Sequence, residues 1–360
     1  MPGTYEKLIR RTLFSLKAET AHELGMKALQ IGLRSAVGRR IAEKHFRHDG
    51  AAVERFGLRF SNPIGIAAGF DKNGVVSGPL SALGFGFIET GTVTFRPQPG
   101  NPRPRMFRLP LDKALINRLG FNNLGAAQLA EQLSERPQNC IIGINIGKNK
   151  DVPNEEAVEN YLACLDVIHG SADYIAVNIS SPNTPNLREL QSPENLEALL
   201  AALQKRNREL GSKPLLVKIA PDLSEAELEA IVDISRSYAI DGIIATNTTI
   251  RRDGLVTPAE VLEKIGAGGL SGAPVRKMAT DIIARIYRLS AGKLPIIGVG
   301  GVFTGADAFE KIAAGASLVQ AYTGFIYRGP GFARDVNNEL RQVLNEQGFA
   351  TIDEARGSAF

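Results

Sequence analysis

The chain has 360 residues, with 42 Lys and Arg against 38 Asp and Glu, 44% hydrophobic residues and two cysteines. That composition excludes collagen, intrinsic disorder and a disulfide-stapled mini-domain. The length admits either two domains or one large α/β barrel. The net charge of +4 is unevenly placed: residues 1–48 carry ten Lys/Arg and four acids, a local +6, which leaves −2 on the other 312 residues. A near-neutral body argues against a nucleic-acid partner, whereas a short basic segment points to anionic lipid or a local partner. Cys140 and Cys164 form no C-x-x-C pair and have no histidine cluster beside them, so a reduced cytosolic compartment without zinc is expected. The N-terminus lacks the apolar core of a signal peptide, and no run reaches the ~18 apolar residues of a spanning helix.

Along the chain, Tyr5, Leu8, Ile9, Leu13 and Leu16 recur at helical spacing. Thr20-Ala21-His22-Glu23 matches a capping box and predicts the start of a second helix. This helical pair could pack on the body or lie in a membrane interface. Two units follow from this reading: a helical segment over 1–48 and a catalytic body over 49–360. From residue 62 onward, apolar runs alternate with helical stretches. Strands are expected at Ile64–Ala68, Phe87–Thr90, Ile141–Ile146, Tyr174–Ile179, Leu215–Ile219, Gly242–Ala245, Ile296–Val299 and Leu318–Ala321. Eight such runs predict a (β/α)8 barrel of the TIM type with an N-terminal amphipathic helical extension. A doubly wound sheet is disfavoured, because no G-x-G-x-x-G turn follows the first strand. The proline-rich interval Arg96–Asn139 reads as a long irregular excursion of functional character.

A barrel builds its site from the loops that follow its strands. Those loops carry Ala68-Gly69-Phe70-Asp71-Lys72, then Gly91-Thr92, then Asn145 with Lys148, then Asn178 through Asn186, then Lys218, then Thr246-Asn247-Thr248, then Gly300-Gly301, and finally Tyr322-Thr323. Singly, these are turn formers. Together, amides behind three strands read a planar ligand with alternating donors and acceptors, two lysines balance negative charge, and the late glycines suit a phosphate. No histidine and no recurring Asp/Glu pair stands at a strand end, which disfavours histidine-based oxidation and glycoside hydrolysis. Ser181, Lys72 and Lys218 remain as proton acceptors.

Taken together, these motifs resemble the class 2, membrane-associated, quinone-reducing dihydroorotate dehydrogenases, over nearly the whole chain. The resemblance implies one FMN per chain, oxidation of (S)-dihydroorotate to orotate in pyrimidine biosynthesis, and quinone as electron acceptor. It casts Ser181 as the catalytic base, where class 1 members have cysteine, with Thr184 and Phe121 shaping the proton exit. Ser181 would take the C5 proton, and a hydride would pass from C6 to flavin N5. Lys72, Asn117, Arg118, Leu119, Gly120, Phe121, Asn178, Asn183, Asn247 and Thr248 resemble the substrate contacts. Ala68, Gly69, Phe70, Asp71, Lys72, Thr92, Asn145, Asn178, Lys218, Thr246, Gly272, Gly301, Tyr322 and Thr323 resemble the FMN contacts, with Lys218 at the flavin's pyrimidine edge. His22, Arg108 and Tyr322 would line a quinone passage. The implied protein is a monomer peripheral to the cytoplasmic side of the inner membrane, held by anionic lipid and binding neither nucleic acid nor metal. Two rivals are a tRNA-acting dihydrouridine synthase, which expects a basic body, and a phosphate-ligand barrel without redox chemistry.

Overall fold

The computed structural model describes residues 5–48 and 50–360. Residues 1–4 and Asp49, where the expected boundary between the two units falls, lie outside the described residues. The N-terminal segment forms a π-turn at Tyr5–Ile9 followed by α1 (Arg10–Ser15), α2 (Ala18–Gly32) and α3 (Ala36–His45). The third helix was not expected; the Ser35 hydroxyl caps it by accepting the Gly38 N–H at 3.0 Å. The capping box at Thr20 does not form. α2 begins two residues earlier, after an uncapped Lys17, and the Glu23 carboxylate turns outward to accept from the Arg103 guanidinium at 2.8 Å.

Eight parallel strands then close a barrel: β1 (Ile64–Ile66), β2 (Phe87–Val93), β3 (Ile141–Ile146), β4 (Tyr174–Asn178), β5 (Leu215–Ile219), β6 (Gly242–Ala245), β7 (Ile296–Val299) and β8 (Leu318–Ala321). Each pairs with its sequence neighbours, and β8 returns to β1. All eight expected strands are present because both faces of each are covered, so each reads as an unbroken apolar run. Two glycines fit the aromatic floor: a Cβ at Gly65 would fall 2.5 Å from the Phe87 ring, and one at Gly143 would fall 2.0 Å from the Tyr174 ring. An antiparallel hairpin, Val53–Arg55 with Leu58–Phe60, adds Phe60 edge-on to Phe87 at 5.2 Å.

The Arg96–Asn139 excursion is not irregular. Met106–Leu109 pairs antiparallel with Ala114–Asn117, and Gly269–Gly272 joins as the third strand. Pro104 and Pro110 flank the first of these strands and disguise it as loop, and the third arrives from some 150 residues away. Beyond the last barrel helix, the C-terminal residues close onto the helix Gly305–Ala313. Gly357 and Ala359 donate to the carbonyls of Ile312 and Ala313, and Phe360 stacks on Tyr287.

Candidate active site

The carboxyl ends of the strands enclose a cavity open to solvent at its mouth. Its wall contains Ala68, Gly69, Lys72, Thr92, Asn117, Leu119, Gly120, Phe121, Asn178, Ser181, Asn183, Lys218, Thr246, Asn247, Thr248, Gly272, Gly301, Tyr322 and Thr323, together with Gly300 and Ser271. Most expected site residues therefore converge on one cavity, although they are spread over 256 positions of sequence.

A connected set of amides fixes one side. Asn178 Nδ2 donates to Thr92 Oγ1 at 2.9 Å and to Asn145 Oδ1 at 3.1 Å, and Asn247 Nδ2 donates to Ser180 Oγ at 3.0 Å. Asn183 Nδ2 reaches Asn117 Oδ1 at 3.2 Å, joining the loop after β4 to the small antiparallel sheet. Asn178 and Asn247 are bonded on both edges, Asn178 Oδ1 accepting from Asn247 Nδ2 at 3.3 Å and Asn247 Oδ1 accepting the Thr248 N–H at 2.8 Å, so the orientation of each amide is fixed. Ser181 is buried, and its Oγ accepts the Asn183 N–H at 3.3 Å. That turn contact leaves the hydroxyl proton available. Thr184 Oγ1 is buried without a protein partner.

Lys72 lines the cavity, and its ammonium makes no hydrogen bond or ion pair among the described residues. Burial, reinforced by the nearby Arg105 charge, lowers it from the usual lysine range to about 8. A cation in an amide-lined space suits a small carboxylate. Lys218 differs: it is buried against the Glu89 carboxylate, with Nζ 3.0 Å from Oε1.

Other expected residues fall outside this wall. Arg118 turns away, donating to the Ala267 carbonyl at 2.9 Å and lying over the Phe107 ring; it stands just past the end of the strand Ala114–Asn117. Asn145 sits one layer below, donating to Glu89 Oε1 at 2.8 Å. The Asp71 carboxylate accepts the Val75 and Val76 N–H groups and shapes the turn that presents Lys72. Phe70 stands edge-on to both Tyr322 and His22, at 6.0 and 5.2 Å. His22 lines a second cavity with Lys72, Met26, Met106 and Leu119. Burial and the Lys72 charge lower its imidazole to about 3, so it is neutral at ordinary pH. Arg108 lines neither cavity. It donates to the Leu13 and Leu16 carbonyls, lies over Phe14 and holds α1 in place.

Two residues were missed. Glu89, an acid inside an apolar strand, is the charge centre beneath the cavity. Arg188 clamps three site loops, through the Ser180 carbonyl at 3.1 Å, the Asp222 carboxylate at 2.9 Å and the Thr248 carbonyl at 3.0 Å. Glu89 had a sequence signal, since an ionisable residue in a strand with both faces covered demands a partner; Arg188 had none.

Residues 51–344 match the family model described as dihydroorotate dehydrogenase. The dihydroorotate dehydrogenase (quinone) of Thiobacillus denitrificans is 51% identical over 340 residues, covering 93% of this chain and 99% of that protein. The one from Myxococcus xanthus is 49% identical over 358 residues, covering 98% and 97%. The crystal structure of Eimeria tenella DHODH in complex with ferulenol superposes with a TM-score of 0.84 at 37% identity, covering 95% of each chain. With the motif loops, the barrel and the near end-to-end likeness in agreement, the chain belongs to the dihydroorotate dehydrogenase family.

Proposed function

We propose that this chain oxidises dihydroorotate to orotate in pyrimidine biosynthesis and delivers the electrons to a quinone, using one FMN per chain as its flavin. The observation that carries the reading is the unpaired Lys72 cation in an amide-lined cavity, within a chain of this oxidoreductase family. The cavity wall fits the cofactor. At Gly69 a Cβ would meet only Tyr322, at 3.5 Å, and would otherwise occupy cavity space. At Gly272 and Gly301, both at positive φ, a Cβ would collide with the Lys113 carbonyl at 2.3 Å and with Arg276 Cβ at 2.4 Å, so packing requires glycine at these two positions of the cavity wall, where backbone can meet phosphate oxygens. Bound FMN supplies a hydride acceptor that later gives its electrons up.

The chain's own groups do the rest. Lys72 holds the substrate carboxylate, and Asn117, Asn183 and Asn247, each fixed in direction by its hydrogen bonds, orient the ring. Ser181 Oγ, steadied by the Asn183 N–H, takes the C5 proton as C6 releases a hydride. Thr184 Oγ1, buried and unpartnered, is the next station for that proton, and Phe121 screens it from bulk water. Quinone approaches along the His22 and Phe70 face toward Tyr322. Arg108 acts there by holding the chain of α1. Residues 1–48 form the lipid-facing unit of a monomer peripheral to the cytoplasmic side of the inner membrane, and 49–360 form the catalytic barrel. A body charge of −2 supports the absence of a nucleic-acid partner.

The test compares quinone, fumarate and NAD as acceptors for dihydroorotate oxidation by the purified protein. Rapid turnover with quinone alone is expected. Ser181→Ala is expected to slow flavin reduction by at least about 100-fold, the low end of a general-base contribution, while bound flavin is retained. Turnover with NAD or fumarate in place of quinone, or unchanged reduction in Ser181→Ala, overturns the corresponding assignment.

A further inference from the structure

Glu89 lies on β2 inside the barrel, fully buried beneath the cavity. Four donors converge on its carboxylate. Lys218 Nζ at 3.0 Å and Asn145 Nδ2 at 2.8 Å meet Oε1, while Gln320 Nε2 at 2.8 Å and Tyr174 OH at 3.2 Å meet Oε2. The donors come from four different strands, so the carboxylate sits at a point fixed by the barrel itself. Lys218 is its ion-pair partner and is also part of the cavity wall. One ammonium thus faces an acid below and the ligand space above.

A lone buried lysine beneath a flavin would hold strongly to the negative charge that reduction adds, because Coulomb effects grow in a dry interior. A carboxylate bonded to the far side of the same ammonium offsets part of that pull and fixes the distance at which it acts. Glu89 needs no contact with the ligand to do this. We propose that Glu89 is a positioning residue that lowers the flavin's reduction potential by neutralising and anchoring Lys218 from below. The pair keeps the flavin reducible by dihydroorotate yet able to release its electrons to a quinone. This inference rests on the reading that Lys218 faces the flavin.

The test measures the midpoint potential of the flavin-loaded protein by equilibration with a reference dye. Glu89→Gln, close in shape and without charge, is expected to shift the balance toward reduced flavin by at least tenfold, about 30 mV for a two-electron couple. Reduction by dihydroorotate then quickens and reoxidation by quinone slows. Glu89→Asp, which retains the charge, is expected to remain near the parent. Lys218→Met is expected to shift the potential downward by a similar factor. If Lys218→Met shifts the potential and Glu89→Gln does not, the role of Glu89 is overturned and the placement of Lys218 stands. If Lys218→Met leaves the potential unchanged, that placement fails and the inference falls with it. Should Glu89→Gln not fold, the double variant Glu89→Gln/Lys218→Met is compared with Lys218→Met alone. Equal potentials support action through Lys218, and a potential at least tenfold higher in the double variant overturns it, because Glu89 would then act without the lysine. A Glu89→Gln variant with lower thermal stability and an unchanged potential marks Glu89 as structural only.

Discussion

At the residue scale, the site sorts its cations by partner. Lys218 is neutralised within the barrel, whereas Lys72 has no bonded partner among the described residues and is lowered to about 8 by burial and by Arg105. A lysine binds a carboxylate only while protonated, so the receptor is fully present below pH 8 and is lost as pH rises through that value. We therefore expect kcat/KM for dihydroorotate to fall on the alkaline side with an apparent pKa near 8, by about tenfold per pH unit beyond it. Lys72→Arg, with a guanidinium that stays charged above pH 12, should move that limb upward. An alkaline limb unmoved in the arginine variant would assign it to another group. Ser181, Lys72 and the asparagines were legible in the sequence because polar residues behind apolar runs announce strand ends. Glu89 and Arg188 act through partners 129 and 60 positions away, distances over which local sequence carries no pairing information.

Among the elements, α2 is tied to the substrate loops through a short chain of charges. Glu19 Oε1 accepts from Arg105 Nε at 3.0 Å and lies 3.2 Å from Arg103 Nε. Arg105 donates to the Asn101 carbonyl at 3.0 Å, and Asn101 Nδ2 donates to the carbonyls of Arg118 and Asn183 at 3.0 and 3.1 Å. A helix of the N-terminal segment thereby braces the loop that carries Ser181. Glu19→Ala removes a charge-assisted bond from a nearly buried arginine and should cost roughly 1.5–3 kcal/mol locally. We expect faster amide exchange over residues 18–32 and a higher KM for dihydroorotate; exchange confined to its parental rate would show that α2 docks by packing alone. The strands of the barrel were legible as elements because burial on both faces leaves a continuous apolar run. The small antiparallel sheet was not, because its four-residue strands are too short to carry a period and its third strand comes from a distant segment.

For the whole molecule, charge and apolar exposure coincide. Leu8, Ile9, Leu16, Leu24, Ile31, Val37 and Ile41 are all exposed on the segment that carries +6, and Ile31 is 78% exposed. No helix among the described residues is long and apolar enough to cross a membrane; the exposed apolar and basic residues match the proposed interface role, in which each basic residue adds about 1 kcal/mol near anionic lipid. The intact protein should bind anionic vesicles more tightly than neutral ones, and salt should weaken that difference. A chain lacking residues 1–45 should lose vesicle binding and quinone turnover. At saturating dihydroorotate its flavin should still be reduced within a few-fold of the parental rate, with KM raised by the loss of Glu19. Equal loss of both half-reactions would make the helices a folding requirement instead.

The sequence by itself determined the barrel, the loops that bear chemistry and the basic segment, because each is written in local pattern: apolar period, polar punctuation and charge count. Tertiary structure alone decided which of those polar residues face the cavity, that Arg118 and Arg108 turn to backbone carbonyls, that α2 ignores its capping box for an arginine, and that a buried glutamate holds the lysine beneath the site. Those outcomes depend on which groups meet across the closed barrel, where desolvation makes a buried charge costly without a partner, and neighbouring residues cannot specify that partner.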